Sequence, residues 1–245
     1  DPLVVAPSPT PFRDDESVDY DAIVINVKRW LDTPLSGFVL GTANGEENAL
    51  GENEKVEIVR TVSAARGVER MVIAGIDLPS TAESIRMAER YATVGADMVR
   101  VRIPRGFDES GVVSYFREIT DRSPIPVIVI HQTFQDTPAA PPEIIGEICG
   151  MDNVFGYVTD HDIRFEGWVR LAFPQDRRFW ICNGGLLAYG ALLGATGACM
   201  WLGNIAPQLC IDIMAAGVEG DYRTARWHQG RATTLDREIG RYGLP

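Results

Sequence analysis

The chain has 245 residues, enough for one large domain or two small ones. A hydrophobic share of 45% against 23% charged residues describes a globular protein with a sizeable core. The net charge of -11 argues against a nucleic-acid partner, because phosphate binding needs a basic surface.

Leu3 to Ala6 reads as a first strand, ended by Pro7, Pro9 and Pro11. Asp19 is placed to cap a helix reaching about Leu31, with Ile23, Val24, Val27 and Trp30 along one side. Gly37 to Leu40 is a second strand, and the loop from Gly41 to Glu46 follows it. A helix from about Glu52 to Ala65 carries Val56, Val59 and Val62 as its buried stripe. Met71 to Gly75 is strand three, and Ser80 or Thr81 caps a helix to about Val94. Asp97 to Ile103 is strand four, followed by a helix from Glu109 to Ile119. Pro126 to His131 is strand five, followed by a helix from Pro142 to Cys149. Val154 to Val158 is strand six, too short and β-prone for a helix, and it runs into the polar cluster Thr159, Asp160, His161 and Asp162. Ile163 to Phe173 is helical, Phe179 to Cys182 is strand seven, Leu186 to Leu193 is helical and Ala198 to Leu202 is strand eight. The remainder, to Gly240, has a helical pattern.

Strands that read as continuous apolar runs are buried on both faces, as in parallel sheets. Eight strand–helix alternations in this length predict a (β/α)₈ barrel, the TIM-barrel fold, over 1–217, with 218–245 opening a C-terminal helical region. A doubly wound sheet is the alternative, but Pro7-Ser8-Pro9-Thr10-Pro11 is unlike a phosphate-binding glycine fingerprint. The uncharged run from Asn183 to Cys210 is broken by six glycines and does not read as one membrane span. Asp1-Pro2 lacks the basic start of a signal peptide, and Cys149, Cys182, Cys199 and Cys210 show no CxxC spacing. These features lead to the expectation of a cytoplasmic protein with buried thiols and no membrane partner.

In such a barrel the functional residues sit at the C-terminal ends of the strands. By that rule the mouth holds Thr10, then Thr42, Asn44 and Glu46, then Asp77. Arg102, Arg105, His131 and Gln132 come next, followed by Asp160, His161, Asp162, Asn183 and Asn204. The loop Gly41–Glu46 reads either as an anion-binding concavity for a carboxylate or as a plain tight turn. Arg100 and Arg102 share one face of strand four, and the cost of a guanidinium against the outer helices places that face toward the barrel interior or mouth. Arg102 and Arg105 there either bind an anionic group or pair with a neighbouring Asp or Glu. His131 ends an apolar strand, where an imidazole can serve as acid or base near neutral pH. His161 between Asp160 and Asp162 reads the same way, unless those carboxylates only cap the next helix. A metal held by His131, His161 and a carboxylate is a further alternative.

Several motifs, in order, resemble the dihydrodipicolinate synthase / N-acetylneuraminate lyase family of class I aldolase barrels. Thr10-Pro11-Phe12 resembles the family's Thr-Pro-Phe after strand one. Gly41-Thr42-Ala43-Asn44-Gly45-Glu46 resembles its substrate-carboxylate loop with one residue extra. Ala74-Gly75 with Thr81-Ala82-Glu83 resembles the strand-three signature. Gly95-Ala96-Asp97, Ile103-Pro104 and Gly197-Ala198 through Asn204 fit as well. The resemblance runs over nearly the whole chain and implies a lyase that assembles as a homo-tetramer or dimer.

The departures bear on mechanism. The family's Schiff-base lysine ends strand six, where Val158 stands here. Lys28 and Lys55 are the only lysines, and both are expected on outer helices. His131-Gln132-Thr133 replaces the family's strand-five tyrosine motif, and Arg105-Gly106-Phe107 replaces its strand-four tyrosine. The family also continues beyond the length reached at Pro245. The expectation is a barrel binding a small, 2-oxo-acid-like carboxylate through Thr42, Ala43, Asn44 and Gly45. Arg102, Arg105, Val158, Asn183 and Asn204 complete the binding surface. Catalysis would be acid–base, by His131 with Asp160 or His161, without a lysine Schiff base, a cofactor or a metal. A non-catalytic ligand-binding relative and a metal-dependent lyase are the alternatives.

Overall fold

The computed structural model describes residues 2–131, 137–159 and 162–242. Eight strands form a closed parallel barrel: β1 (Leu3–Pro7), β2 (Gly37–Leu40), β3 (Met71–Ile76), β4 (Met98–Arg102), β5 (Val127–Ile130), β6 (Val154–Val158), β7 (Arg178–Ile181) and β8 (Gly197–Cys199). Closure comes from β8 pairing with β1, with Val5 opposite Cys199. The helices are α1 (Tyr20–Leu31), α2 (Glu52–Ala65), α3 (Thr81–Thr93), α4 (Glu109–Arg122), α5 (Pro142–Cys149), α6 (Ile163–Ala172), α7 (Leu187–Leu192), α8 (Pro207–Val218) and α9 (Tyr222–Gly240).

Strand alternation divides the apolar residues into two layers. Phe38, Val72, Val99, Val129, Tyr157 and Phe179 face the helices and pack against residues such as Ile23, Val59, Ile85 and Phe116. Val5, Val39, Ile73, Ile128, Val158 and Trp180 face inward and fill the barrel. Each strand is therefore apolar on both faces, which is why periodicity alone shows a continuous run.

Several helices start where the sequence supplies a cap. Asp19 accepts the Ala22 amide at α1 (3.0 Å) and Asp108 accepts the Gly111 amide at α4 (2.7 Å). Asp162 accepts the Arg164 and Phe165 amides at α6.

Two expected elements change. Strand eight ends at Cys199, and Trp201–Asn204 forms a 3₁₀ turn instead of continuing the strand. The Met200 amide makes a last bond to the Val5 carbonyl, and the Gly203 amide then turns back to Met200. The C-terminal helical stretch is two helices, broken at Gly220, whose φ of 82° closes α8. The second, α9, is tied to the end of β7 by Gln229, which donates to the Gly184 carbonyl (2.9 Å) and accepts from the Ala188 amide (2.8 Å). The uncharged run 183–210 is divided among short turns, α7, β8 and the start of α8. Among the described residues no helix is long and apolar enough to cross a membrane.

Candidate active site

The site begins at the loop after β2. Gly41 has φ of 62°, a left-handed turn that takes the chain off the strand. A Cβ on Gly75 would lie 2.5 Å from the Gly41 carbonyl oxygen, so the ends of β2 and β3 meet this closely only because residue 75 is glycine. Two 3₁₀ turns follow, Ala43–Gly45 and Glu47–Ala49, joined at Glu46 with φ of 57°. The amides of Gly45 and Glu47 donate to the Thr42 carbonyl and that of Glu46 to Ala43, so the loop spends these three donors on itself. Thr10 pins the loop by donating its hydroxyl to the Gly45 carbonyl (2.8 Å). The left-handed hinge leaves Glu46 in solvent and turns Glu47 inward, where it is 6% exposed.

Glu47 meets a buried cluster of charge. Arg100 and Arg102, two apart on β4, point into the barrel, and Asp77 follows the end of β3. Arg100 donates to Asp77 through Nη2 and lies 4.0 Å from Glu47 Oε2. Arg102 Nη2 donates to Glu47 Oε1 (2.8 Å). Its Nε lies 2.9 Å from Asp77 Oδ1 at an angle too bent for a hydrogen bond, so the contact is ionic. Two carboxyls thus sit against two guanidiniums at the C-terminal end of the barrel. Thr42 is also buried there, its methyl against Gly75, and its hydroxyl has no hydrogen-bond partner among the described residues.

The two carboxyls are driven apart in acidity. Burial, then the hydrogen bond and negative charge of Asp77, push Glu47 up to about 7 against the opposing pull of Arg102 and Arg100. Burial pushes Asp77 the same way, but Arg100, the hydrogen bond from Glu47 and Arg102 outweigh it and hold Asp77 below its usual range. Near neutral pH Asp77 is the carboxylate and Glu47 exchanges the proton. Titratable pairs split in this way are the usual basis of acid–base assignment.

A cavity of about 210 Å³ opens beside the cluster and is lined in part by Glu47, Asp77, Arg102, Tyr91 and Lys55. Lys55 belongs to an outer helix, yet its side chain reaches this cavity. Val158 lies on the barrel floor with Trp180, Ile128 and Ile130.

The other predicted residues are dispersed. His131 is fully buried and stacks on Phe165 of α6 at 5.3 Å between ring centroids. Its Nε2 accepts the Ala139 amide (2.8 Å), so the imidazole lies on the helix side of the wall and holds the loop before α5. Arg105 donates to the Thr137 carbonyl (3.2 Å). Asn183 accepts the Gly185 amide (2.8 Å) in the turn after β7, and Asn204 donates to the Pro7 carbonyl (2.8 Å). Ala43 and Asn44 are half-buried in the loop. Asp160, His161 and Gln132 lie outside the described residues. Among the described residues no three His, Cys, Asp or Glu side chains converge in a way that could hold a metal. Glu47 is absent from the expected set, because the loop's extra residue lets either member of the Glu46-Glu47 pair face inward.

A closed (β/α)₈ barrel with a charged cluster at the C-terminal ends of its strands has the form of an enzyme barrel. The model of the dihydrodipicolinate synthetase family matches residues 3–243, and the chain belongs to that family. It is 32% identical to an uncharacterized DapA-like lyase of Halobacterium salinarum, over 94% of this chain and 77% of that protein. The fold is similar to that of the chloride-inhibited dihydrodipicolinate synthase from Acinetobacter baumannii complexed with pyruvate, with a TM-score of 0.89 at 19% identity, covering 96% of this chain and 82% of that one. It is also similar to N-acetylneuraminate lyase from Mycoplasma synoviae, with a TM-score of 0.86 at 19% identity, covering 99% and 83%.

Proposed function

We propose that this protein is a lyase that binds a small carboxylate of the 2-oxo-acid type at the barrel mouth and acts on it by acid–base chemistry without a lysine Schiff base. The observation that carries this reading is the Glu47–Asp77 pair, in which a proton carrier poised at about 7 is held against a carboxylate and two guanidiniums. Thr42 offers a buried hydroxyl to the ligand carboxylate, and Arg102, partly exposed to the cavity, offers positive charge. Glu47 takes a proton from the ligand, or returns one, as bonds beside the carbonyl rearrange, and Asp77 and the arginines stabilise its changing charge. Val158 gives the floor no amine, and a neutral amine is what Schiff-base chemistry requires. The likeness to a synthase bound to pyruvate supports the choice of ligand class.

The test is a thermal-shift and product screen of small carboxylates, pyruvate included, on the parent chain, Thr42→Val and His131→Ala. The expected result is stabilisation of the parent and turnover of at least one 2-oxo acid. Binding should weaken by about tenfold in Thr42→Val, the scale of one lost hydrogen bond. His131→Ala should keep its response, since that imidazole lies behind the wall. Loss of turnover there without loss of binding would return the acid–base role to His131. Borohydride with pyruvate should leave the mass of the chain unchanged, and an adduct on Lys55 would overturn the mechanism. Stabilisation without any product would identify a non-catalytic relative.

A further inference from the structure

Two of the four cysteines belong to the inner layer of the barrel, and the chemistry proposed above does not use them. Cys199 ends β8 and is 4% exposed, while Cys182 is half-buried just beyond the end of β7. Both pack in the inner apolar cluster with Val158 and Trp180. The β7–β8 ladder pairs Trp180 with Gly197 and Ile181 with Ala198. The ladder ends there, and its register continued by one residue would set Cys182 opposite Cys199.

Neighbouring strands lie about 4.8 Å apart, inside the range of Cα separations that disulfides span. Inward bonds in a barrel converge on its axis, which tends to bring the Cβ atoms of neighbouring inward residues closer than their Cα atoms. That convergence moves them toward the separation of about 3.8 Å typical of a disulfide. Cys182 stands beyond the end of β7, where its backbone can move toward β8 without breaking the β7–β8 ladder, while Cys199 stays held opposite Val5 of β1. Arg100, held chiefly by Asp77 and Glu47, also lies within electrostatic reach of both cysteines, and a neighbouring cation favours the thiolate, the reactive form.

The other two cysteines provide an internal comparison. Cys149 and Cys210 are fully buried in the outer layer between strands and helices. Burial pushes the Cys149 thiol up strongly and the Cys210 thiol up to about 12, so both stay protonated and inert.

We propose that Cys182 and Cys199 form a reversible redox site, closed to a disulfide across β7 and β8 by a peroxide. A thiolate sulfur attacks the peroxide O–O bond, forms a sulfenic acid and releases hydroxide. The second thiolate then attacks the sulfenic sulfur, the S–S bond forms and a second hydroxide leaves. Both hydroxides take up the protons lost by the thiols, so two thiols and one hydrogen peroxide yield one disulfide and two waters. A dithiol reductant reverses the reaction by exchange.

The experiment treats the full reduced chain with a small excess of hydrogen peroxide under native conditions. Thiols are then counted after unfolding, and peptides are mapped without reduction. The expected count falls from four thiols to two, with Cys182 and Cys199 joined within one chain and both restored by dithiothreitol. In Cys199→Ser the disulfide is lost, and a sulfenic acid at Cys182 accumulates that dimedone labels. Four surviving thiols would overturn the proposal. So would a sulfinic acid at Cys182 beside an intact Cys199, a bond to Cys149 or Cys210, or a bond between two chains.

Discussion

At the scale of single residues, Glu47 and Arg100 bear the most weight. Glu47→Gln keeps the size and the hydrogen-bonding ability of the side chain but removes the exchangeable proton. Turnover of any accepted carboxylate should fall by about 10²–10⁴-fold while thermal stabilisation by the ligand persists, which steady-state rates and melting curves measure separately. Arg100 is 3% exposed and faces Asp77 and Glu47. Arg100→Met leaves Asp77 buried with Arg102 as its remaining ion-pair partner, and denaturant unfolding should show a loss of about 3–5 kcal/mol. Adding Asp77→Leu to that variant should recover part of the loss, because the cost lies in the charge left behind. An additive double mutant would show that the two residues do not act as a pair.

At the scale of elements, the meeting of β2 and β3 at Gly41 and Gly75 decides whether the site exists. A methyl group at 75 would press on the Gly41 carbonyl at 2.5 Å and on the Thr42 methyl at 3.0 Å. Neither neighbour can yield without moving the loop that carries Glu47. Gly75→Ala should therefore cost about 1–3 kcal/mol in unfolding experiments and should also weaken carboxylate binding. A variant that binds normally would show that the loop can move without losing its site. At the opposite end of the barrel Arg66 pairs with Asp97, whose Oδ2 also accepts the Val72 amide (2.8 Å). This arrangement braces the start of β4 far from the mouth, as expected where a barrel keeps stability apart from function.

At the scale of the whole molecule, the buried cluster links stability to pH. The ordinary value for Glu47 is 4.5, and in the fold it is about 7. Between these values the folded chain retains a proton that the unfolded chain has released. Stability therefore falls as pH rises through this window and levels off above it, by on the order of 1–3 kcal/mol. Asp77 shifts the other way, and its contribution is lost only as pH falls below its ordinary value of 3.8. Unfolding free energies from pH 4.5 to 8 should show the decline in the parent and a flatter profile in Glu47→Gln. Parallel profiles would remove Glu47 as the source. The tendency of related barrels to form tetramers or dimers leads to the further expectation of a homo-oligomer, which sedimentation can measure.

Much of this molecule is legible in the amino-acid sequence, because the barrel repeats one local rule eight times. Short runs such as Val127–Ile130 are apolar on both faces, caps such as Asp19 and Asp108 start their helices, and turn residues separate the units. Each of these signals is local, so order and spacing are enough to place the strand ends and the loop 41–46 that follows β2. The face that each end residue presents is not local. Glu46 and Glu47 are the same residue type side by side, and only the left-handed turn at 46, held between Thr10 and the end of β3, decides which enters the barrel. His131 follows directly on the end of β5, but the pleat turns it outward onto Phe165. Asp77 and Arg100 are distant in the chain and meet only because neighbouring strands share a register. The sequence alone therefore determined the barrel and the order of its strand ends, since both follow from local periodicity. The tertiary structure decided which charges face one another, since that depends on the closure and register of the whole sheet.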